Sequence, residues 1–334
     1  FGMVWPMGQP AGEAHRIGGL SRARWDTVAA ESGVWLKPCG SIHLAHRRDE
    51  LAVLEEFAQR AAEMGQPCEL LDREGVLART KGARAQGLLG GLYSPTEACV
   101  NPRKASAEIA RWLAEKYGVT FHFSRSVVAC EEKHLRTADG VVIDFDACVL
   151  CAGADIESLF PKLLKGLGMK LCKLQMLRTV SQPDGWELGP HLASGLTLRH
   201  YKNFAECQGL KYLIDRVARE TPELDIYGIH VMASQNDAGE IILGDSHEYD
   251  EDIEIFDKTV IDELILREVR KIIDLPRWEI ASTWHGVYAK HPTKPFVTAS
   301  PMQQVRTFTG LGGAGMTMSF GAAEVMWDTW MKEG

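Results

Sequence analysis

A glycine-rich loop near the C-terminal end of the sequence could bind a charged or flat ligand through its backbone. The stretch TGLGGAGMTMSFGAAE, residues 309–324, contains a G-x-G-x-x-G pattern at Gly310, Gly312 and Gly315. In a βαβ unit this pattern binds a dinucleotide pyrophosphate, but the unit needs a second strand ending in an acidic residue about 20 residues further on. The sequence ends at residue 334 and leaves no room for that strand. We therefore expect a strand, a loop almost free of side chains and a helix N-terminus, which form either a plain tight turn or a site for a flat or anionic group.

Helical and strand patterns alternate around this loop. Periodicity and helix-start signals predict helices over 13–32, 47–65, 72–80, 101–118, 258–273 and 316–330. Asn101 followed by Pro102 is typical of a helix start, with the asparagine as N-cap. Apolar or alternating runs predict strands within 40–45, 87–95, 119–124, 126–140, 141–154, 173–182, 195–204, 224–234, 240–249 and 306–310. The NDAG turn at 236–239 predicts a hairpin between two of these strands.

This order of elements predicts an α/β fold in which one domain is discontinuous. A Rossmann-like domain is expected from residues 1–35, 100–172 and 285–334. An inserted α+β domain with a mainly antiparallel sheet is expected from residues 36–99 and 173–284. Because clefts between domains are common ligand sites, we expect the site between them.

Composition excludes several classes of partner. The chain has 37 Lys and Arg against 45 Asp and Glu, a net charge of −8 and a pI near 5.8, which would repel nucleic acid. No apolar run approaches the roughly 20 residues that span a bilayer, and the start does not resemble a signal peptide, so we expect a cytoplasmic protein without a membrane span.

The cysteines are expected to be inert core thiols. Cys148 and Cys151 form the closest pair, in the run DACVLCAG, which is typical of a buried strand. Side chains three apart on a strand point to opposite faces and do not converge on one metal ion. The eight cysteines are scattered, and a disulfide set is not expected in a reducing compartment.

Five stretches in order resemble the landmarks of the D-amino acid oxidase family, flavoenzymes that include glycine and sarcosine oxidases. They are GSIHLA, GLYSPTEACVNPRKA, VLCAGADIESLF, WHGVYAKHPTKPFV and FTGLGGAGMTMSFGAAE, and together they extend over most of the chain. The pattern, including FGMVWPMGQP at the start, is most similar to the branch associated with phosphonate breakdown. The resemblance implies FAD, bound non-covalently because no Cys lies between Trp284 and Gly315.

The resemblance also implies which residues contact FAD. The C-terminal glycine loop would line the flavin rather than the pyrophosphate. The strand-end motif CAGA would pass close to the cofactor, although a plain exit from the strand is the alternative. Val127 would meet the adenine or be an ordinary sheet residue, and the first segment would turn beneath the flavin, although Trp5 could equally be core. The implied cofactor-binding residues are Met3, Trp5, Pro6, Gly8, Val127, Ala152, Gly153, Gly310, Gly312, Gly313, Gly315 and Met316.

Two departures from the family pattern stand out. The family begins with its own G-x-G-x-x-G βαβ unit, which this sequence lacks, and we expect that unit to precede Phe1 in the full-length protein. The common Arg of the G-x-R-P stretch is Tyr288 in this chain, and the Asp that usually follows is Thr293 or Lys294.

By resemblance, the chemistry is oxidation of a small anionic amine: an amino acid, an N-methylated amino acid or an aminoalkylphosphonate. Hydride would pass to the flavin, the imine would hydrolyse, and dioxygen would be reduced to hydrogen peroxide. A flavin dehydrogenase with another electron acceptor and a flavin-free binding subunit are the alternatives, and the oligomeric state is open. The substrate anion would be held by residues of the stretches WHGVYAKHPTK and LRHYKNF. The candidates named as catalytic are Tyr288, Lys290, His291, Arg199 and His200, and His285, Lys294 and Tyr201 lie in the same stretches.

So many cations near one site would suit a doubly charged group better than a carboxylate. The alternative for the denser stretch is a solvated basic loop.

Overall fold

The computed structural model describes residues 1–250 and 253–333; residues 251, 252 and 334 of the expected domain ranges lie outside the described residues. The α-helices in the described part are α1 (Glu13–Ser32), α2 (Arg48–Glu63), α3 (Arg73–Arg79), α4 (Pro102–Tyr117), α5 (Pro161–Gly166), α6 (Leu210–Glu220), α7 (Glu223–Ile226), α8 (Thr259–Ile272) and α9 (Gly315–Glu333). Short 3₁₀ turns occur at Pro6–Gly8, Gly195–Arg199, Lys202–Phe204 and Gly312–Ala314.

The strands are mostly short, and two long ones run through the middle of the fold. They are β1 (Met3–Val4), β2 (Leu36–Pro38), β3 (Ser41–Ala45), β4 (Glu69–Asp72), β5 (Gly90–Ser94), β6 (Ala98–Val100), β7 (Val127–Cys130), β8 (His134–Thr137), β9 (Val142–Asp144), β10 (Cys148–Leu150), β11 (Lys170–Ser181), β12 (His191–Ala193), β13 (Met232–Gln235), β14 (Glu240–Gly244), β15 (Glu248–Asp250), β16 (Ile280–Lys290), β17 (Val297–Met302) and β18 (Val305–Thr309).

A large, mainly antiparallel sheet contains nine of these strands. Its order is β15-β11-β14-β13-β12-β3-β5-β4, and β16 pairs with β11 in addition. Strand β11 is therefore paired along its length with β16, while β15 and β14 pair with successive parts of it. This arrangement places Cys172 opposite both Tyr249 and Tyr288. The main hydrophobic core, which includes Leu54, Phe57 and Leu177, lies on this sheet.

A smaller sheet carries the glycine loop. Its order is β10-β18-β17, and β10 and β18 are parallel, with Leu150 opposite Thr307. Strand β18 leads through the loop into α9, which packs on α1. Gly321 of α9 makes this approach possible, because a Cβ there would lie 2.2 Å from the Ile17 carbonyl oxygen. Two further small sheets, β1-β6-β2 and β7-β8-β9, complete the strands.

All six predicted helices, and the α/β class with its antiparallel sheet, are confirmed. Helices α1, α2, α3, α4, α8 and α9 lie where the sequence predicts them. The Asn101 side chain accepts a hydrogen bond from the Arg103 N–H, as an N-cap does. The predicted hairpin is formed by β13 and β14. No helix in the described ranges combines the length and the hydropathy that crossing a membrane requires.

Several predicted strands are wrong. Residues 119–124 form no strand and are exposed, because the left-handed Gly118 ends α4 and no strand within the described residues pairs with them. Residues 195–204 form two 3₁₀ turns, and the Thr197 hydroxyl bonds to the Val231 carbonyl there. The run 224–234 begins as α7, and α6 was not predicted although Leu210, Leu213 and Val217 are buried at helical spacing.

The expectation of core thiols holds only in part. Cys148 is buried, but Cys151 is exposed. The strand β10 ends at Leu150, so the chain has already left the sheet when it reaches Cys151. The cysteines of the described residues are free thiols.

We predict that Gly321→Ala destabilises the fold while Gly19→Ala does not. The added methyl at residue 321 forces α9 away from the α1 backbone, and overpacking of this kind costs about 1–3 kcal/mol. A Cβ at Gly19, on the exposed side of α1, meets nothing within 4 Å, and Ala is favoured over Gly in a helix by up to ~1 kcal/mol. Urea unfolding of both variants is the measurement. Equal stability of the two variants would contradict the close packing of α1 on α9.

Candidate functional site

A cavity of about 790 Å³ opens between the ends of β10 and β18, strand β16 and helix α9. Strand ends and a helix start meet at this point, so backbone groups as well as side chains reach the cavity. Four of the predicted site residues line it, namely Gly153, Gly310, Gly312 and Tyr288. The other lining residues include Cys151, Ala154, Phe308, Phe320 and Trp327. The wall is therefore largely apolar, with a phenol on one side.

The glycine loop packs on β16 through positions that have no side chain. A Cβ on Gly312, whose φ is +59°, would lie 3.2 Å from Lys290 Cγ. A Cβ on Gly313 would lie 3.4 Å from the Tyr288 ring and hydroxyl. At Gly315, the first residue of α9, a Cβ would meet nothing within 4 Å. The loop thus contacts β16 directly, and the first turn of α9, whose N–H groups have no partner within the helix, has free space beside it.

The first segment of the chain is tied to the start of α9. The Thr317 hydroxyl accepts a 2.8 Å hydrogen bond from the Trp5 N–H and lies 3.5 Å from the Met3 carbonyl oxygen. The Trp25 indole donates to the Met316 carbonyl at 2.8 Å. These contacts fix the segment from Met3 to Gly8 beside the glycine loop.

The predicted cofactor residues of this segment are buried in the structure. Met3, Trp5, Pro6 and Gly8 are all buried, and none of them lines the cavity. The Trp5 ring is stacked against His191 at 5.9 Å and Tyr201 at 6.1 Å. Its indole Nε1 has no hydrogen-bond partner among the described residues.

A cluster of polar side chains adjoins the cavity on the large sheet. The side chains of Tyr249 and Tyr288 approach the Cys172 thiol from the two strands paired with β11. Lys290 Nζ lies 3.4 Å from the Tyr249 hydroxyl. Burial raises the pKa of Cys172 and of Tyr288 and lowers the pKa of Lys290. The phenol of Tyr288 therefore stays protonated and can donate a hydrogen bond, and Lys290 is the basic side chain of this cluster.

Three histidines extend the cluster away from the cavity. The ring centroids of His200 and His230 are 4.4 Å apart, and those of His230 and His247 are 5.0 Å apart. The His247 ring lies 6.5 Å from the Tyr288 ring. Burial lowers the pKa of His200 to about 3 and that of His247 to about 4, and it holds the pKa of His230 well below its usual range. At pH 7 the three imidazoles are therefore neutral.

A buried carboxyl accompanies the histidines. His230 Nε2 lies 3.1 Å from Asp245 Oδ1, and both residues are buried. The two backbones are also joined, since each residue's N–H donates to the other's carbonyl. Burial raises the pKa of Asp245 to about 8.

The remaining predicted anion-binding residues are engaged elsewhere. Arg199 is paired with Asp225 and bonds the Ile229 carbonyl. His285 pairs with Asp257 at 2.7 Å. The His291 ring nitrogen Nδ1 accepts hydrogen bonds from the N–H groups of Thr293 and Lys294, which stabilises a turn.

The strand geometry therefore places the basic residues of the stretch WHGVYAKHPTK, residues 284–294, on different faces. Successive side chains of β16 point to opposite faces, so Tyr288 and Lys290 share one face and His285 lies on the other. Lys294 is exposed in the turn that follows. The cations of this stretch therefore do not gather into one site for a doubly charged anion.

The other two predicted cofactor positions lie at separate places. Ala152 is exposed beside Gly153, just beyond β10. Val127 starts β7 in the small sheet β7-β8-β9 and is only partly buried. Val127 does not line the cavity.

Sequence reasoning missed Cys172, His230, Asp245, His247 and Tyr249. One signal was present, because Asp245, His247 and Tyr249 alternate in GDSHEY, as residues on one face of an extended segment do. Cys172 and His230 come from distant parts of the chain. The pairing of β11 places Cys172 beside Tyr249 and Tyr288, and the contact with Asp245 places His230 beside His247.

The sequence matches the family described as "DAO: FAD dependent oxidoreductase" over residues 1–329. No curated protein matches it significantly. Among solved structures, L-proline dehydrogenase from P. horikoshii superposes with a TM-score of 0.74 at 18% identity, covering 98% of this chain and 81% of that one. Glycine oxidase from Bacillus cereus gives a TM-score of 0.74 at 15% identity, with coverages of 97% and 82%. L-α-glycerophosphate oxidase from Mycoplasma pneumoniae, a structure with FAD bound, gives 0.71 at 13% identity, with coverages of 97% and 82%. At these identities the structures show a shared fold.

We predict that Thr317→Val destabilises the protein more than Thr317→Ser. Valine has nearly the shape of threonine but leaves the buried Trp5 N–H without an acceptor, which costs about 1–3 kcal/mol. Serine keeps the hydroxyl and loses one methyl group, about 0.8 kcal/mol. Chemical unfolding followed by circular dichroism measures both. If the serine variant were the less stable, the tie between the first segment and α9 would not be what the hydroxyl provides.

Proposed function

This chain belongs to the DAO family of FAD-dependent oxidoreductases, and from that premise we propose that it oxidises the carbon–nitrogen bond of a small anionic amine. The observation that carries the proposal is the position of Tyr288. It lines the cavity beside the glycine loop and, at the same time, belongs to the polar cluster that contains Lys290. A substrate held by this cluster would therefore have its reacting atoms next to the loop.

The cavity and its lining fit FAD, the cofactor of the family. Its wall is largely apolar, the loop from Gly310 to Gly313 presents backbone instead of side chains, and the space beside Gly315 is free. The N–H groups at the start of α9 favour negative charge beside them. When bound, FAD supplies a two-electron acceptor for the hydride of the C–H bond next to the amine nitrogen.

Ten of the twelve predicted residues would hold FAD, in two groups; Val127 and Ala152 are not among them. The first group lies at or beside the cavity and would contact FAD through the backbone; it contains Gly153, Gly310, Gly312, Gly313, Gly315 and Met316. The second group, buried and tied to the start of α9, would support the loop on the side away from the cavity; it contains Met3, Trp5, Pro6 and Gly8. Residues 1–35, 100–172 and 285–334 would form the cofactor domain, and residues 36–99 and 173–284 the substrate domain.

Lys290 and Tyr288 would hold the anionic group of the substrate. Lys290 contributes the positive charge, and the protonated Tyr288 hydroxyl contributes a hydrogen bond. Because the neighbouring histidines are neutral, they add hydrogen-bonding capacity without adding charge. One lysine and one phenol are sufficient for a carboxylate, and amino acids and N-methylated amino acids are therefore within the proposed substrate class. The aminoalkylphosphonates are included on the sequence resemblance alone.

The protein's part in the reaction is positioning and exclusion of water. Anchoring the anion fixes the direction of the amine end, and a fixed orientation can replace much of the entropy cost of a bimolecular step. The amine would be oxidised to an imine, which water hydrolyses after release. Dioxygen is the proposed final acceptor, reduced to hydrogen peroxide; an enzyme that passes electrons to another carrier would share the first half of the reaction.

The first test is the visible absorption spectrum of the purified protein. Flavin bands that bleach under anaerobic conditions on addition of glycine, sarcosine or 2-aminoethylphosphonate would support the proposal and identify the substrate class. Peroxide formed on admitting air would identify the acceptor, whereas persistent bleaching would indicate a dehydrogenase. A protein that binds FAD but is bleached by none of a panel of amines would contradict amine oxidation.

We predict that Lys290→Met raises KM for the anionic amine by about 10- to 100-fold, the effect of losing one charge-assisted hydrogen bond of roughly 1.5–3 kcal/mol. Lys290→Arg keeps the charge and should lose less. Since burial lowers the pKa of Lys290, its charge is lost as pH rises, and it is lost at a lower pH than for an exposed lysine. KM of the native protein should therefore rise at alkaline pH, and KM of the arginine variant should stay flat over the same range.

Steady-state kinetics from pH 6 to 10 measure this, with flavin content as the control for folding. An unchanged KM in Lys290→Met would exclude this lysine as the anion site.

A further inference from the structure

We propose that His200, His230 and His247 form a binding site for a divalent transition-metal ion such as Zn²⁺. One ring nitrogen of each histidine lies within 4.8 Å of the ring nitrogens of the other two. Among the described residues, no other group of His, Cys, Asp and Glu side chains has ligand atoms close enough together for a metal site. Its residues come from three separate segments that only the fold brings together.

Each of the three histidines has a nitrogen available for a ligand bond. His200 Nε2, His230 Nδ1 and His247 Nδ1 are buried and have no hydrogen-bond partner among the described residues. A buried polar atom without a partner is costly, and most such atoms in proteins are satisfied. Three such atoms belong to one histidine cluster, and a bound metal ion would satisfy all three at once.

The chemistry of the ligands suits a borderline metal ion. Metal ions bind an unprotonated imidazole nitrogen, and each of these rings has a buried nitrogen with no hydrogen-bond partner among the described residues. Imidazole favours zinc, copper, iron and nickel over magnesium and calcium, which prefer oxygen ligands. Three protein ligands leave one position of a tetrahedral shell for water or an anionic oxygen.

Asp245 occupies the place of an outer-sphere partner. It contacts His230 through Nε2, at 3.1 Å, and leaves Nδ1 of the same ring free. A carboxylate on the far nitrogen fixes the orientation of a metal-bound histidine and makes it a better ligand.

The backbones of all three histidines are held in place. The His200 N–H bonds to the Thr197 carbonyl, and the His247 N–H bonds to the Tyr227 carbonyl at 2.9 Å. His230 is joined to Asp245 through both backbone groups. Gly228, with φ of +55°, permits the close approach of His247, because a Cβ at residue 228 would lie 2.8 Å from the His247 carbonyl oxygen.

Metal binding would draw the three ligand nitrogens closer together. Zn–N bonds of about 2.0–2.1 Å place the ligand nitrogens of a tetrahedral site roughly 3.3 Å apart, which is shorter than the present limit of 4.8 Å. The three rings are nearly stacked, with interplanar angles of 20–32°, so the rings would have to turn for their in-plane lone pairs to converge on one ion.

The test uses the full-length, flavin-loaded protein with Zn²⁺ as the probe. The protein is treated with a chelator, incubated with one equivalent of ZnCl₂, passed through a desalting column and analysed by plasma mass spectrometry. We expect about one zinc per chain and a zinc-dependent rise in the melting temperature. X-ray absorption at the zinc edge should show three imidazole nitrogens at about 2.0–2.1 Å.

The matched variants remove ligands while keeping ring packing. His200→Phe and His247→Phe should lose zinc retention, whereas His122→Phe, at an exposed position, should retain it. Asp245→Asn should weaken zinc binding by about 10- to 100-fold. Flavin content and circular dichroism report folding, and a misfolded phenylalanine variant is replaced by the corresponding His→Gln variant.

Two results would overturn the site. The native protein could retain no zinc, or the His200 and His247 variants could retain as much zinc as the native protein. In the first case the histidines are a stacked neutral group without a metal, and in the second the zinc is bound elsewhere, for example by cysteine thiols.

Discussion

The direct contact between the glycine loop and strand β16 is the constraint on which the rest of the site depends. Gly312 and Gly313 have no Cβ, so their backbone lies against Lys290 and Tyr288. A side chain at Gly312, where φ is +59°, would strain the backbone and press on Lys290, whereas a Cβ at Gly313 would meet the Tyr288 ring at an ordinary contact distance. The contact joins two sheets, because the loop follows β18 of the small sheet and β16 belongs to the large one; Ala289 of β16 and Val297 of β17 also share a hydrophobic cluster. It also explains why a cavity with backbone on one wall has a polar cluster on the other.

Burial decides the chemistry of that cluster more than the count of charged residues does. The imidazoles of His200 and His247, which pack against His230, are neutral at pH 7 because a buried charged form would be poorly solvated. The same effect keeps the Tyr288 phenol protonated. What remains is one lysine among neutral donors and acceptors. Such a site can bind an anion through the lysine and, at a short distance, offers imidazole lone pairs to a metal ion.

Two sets of contacts tie the glycine loop and the start of α9 to the rest of the protein. Thr317 and Trp25 hold the start of α9 to the first segment and to α1, and Gly321 lets α9 lie close on α1. The glycine loop is therefore supported from behind by helix packing and from the front by β16. A loop without side chains is intrinsically mobile, since glycine loses the most backbone freedom on folding, and these supports compensate for that cost.

The sequence by itself determined the elements whose signals are local. The amphipathic helices, the Asn101 N-cap and the hairpin at residues 236–239 follow from spacing and turn residues within a few positions, and the five ordered motifs identified the family. It failed at 119–124 and 195–204, because an apolar run becomes a strand only if another strand pairs with it. The grouping of Cys172, Tyr249 and Tyr288, and of His200, His230 and His247, was decided by the tertiary structure alone. Their neighbours are set by strand register and burial across long sequence separations, and these are properties that no local pattern of residues encodes.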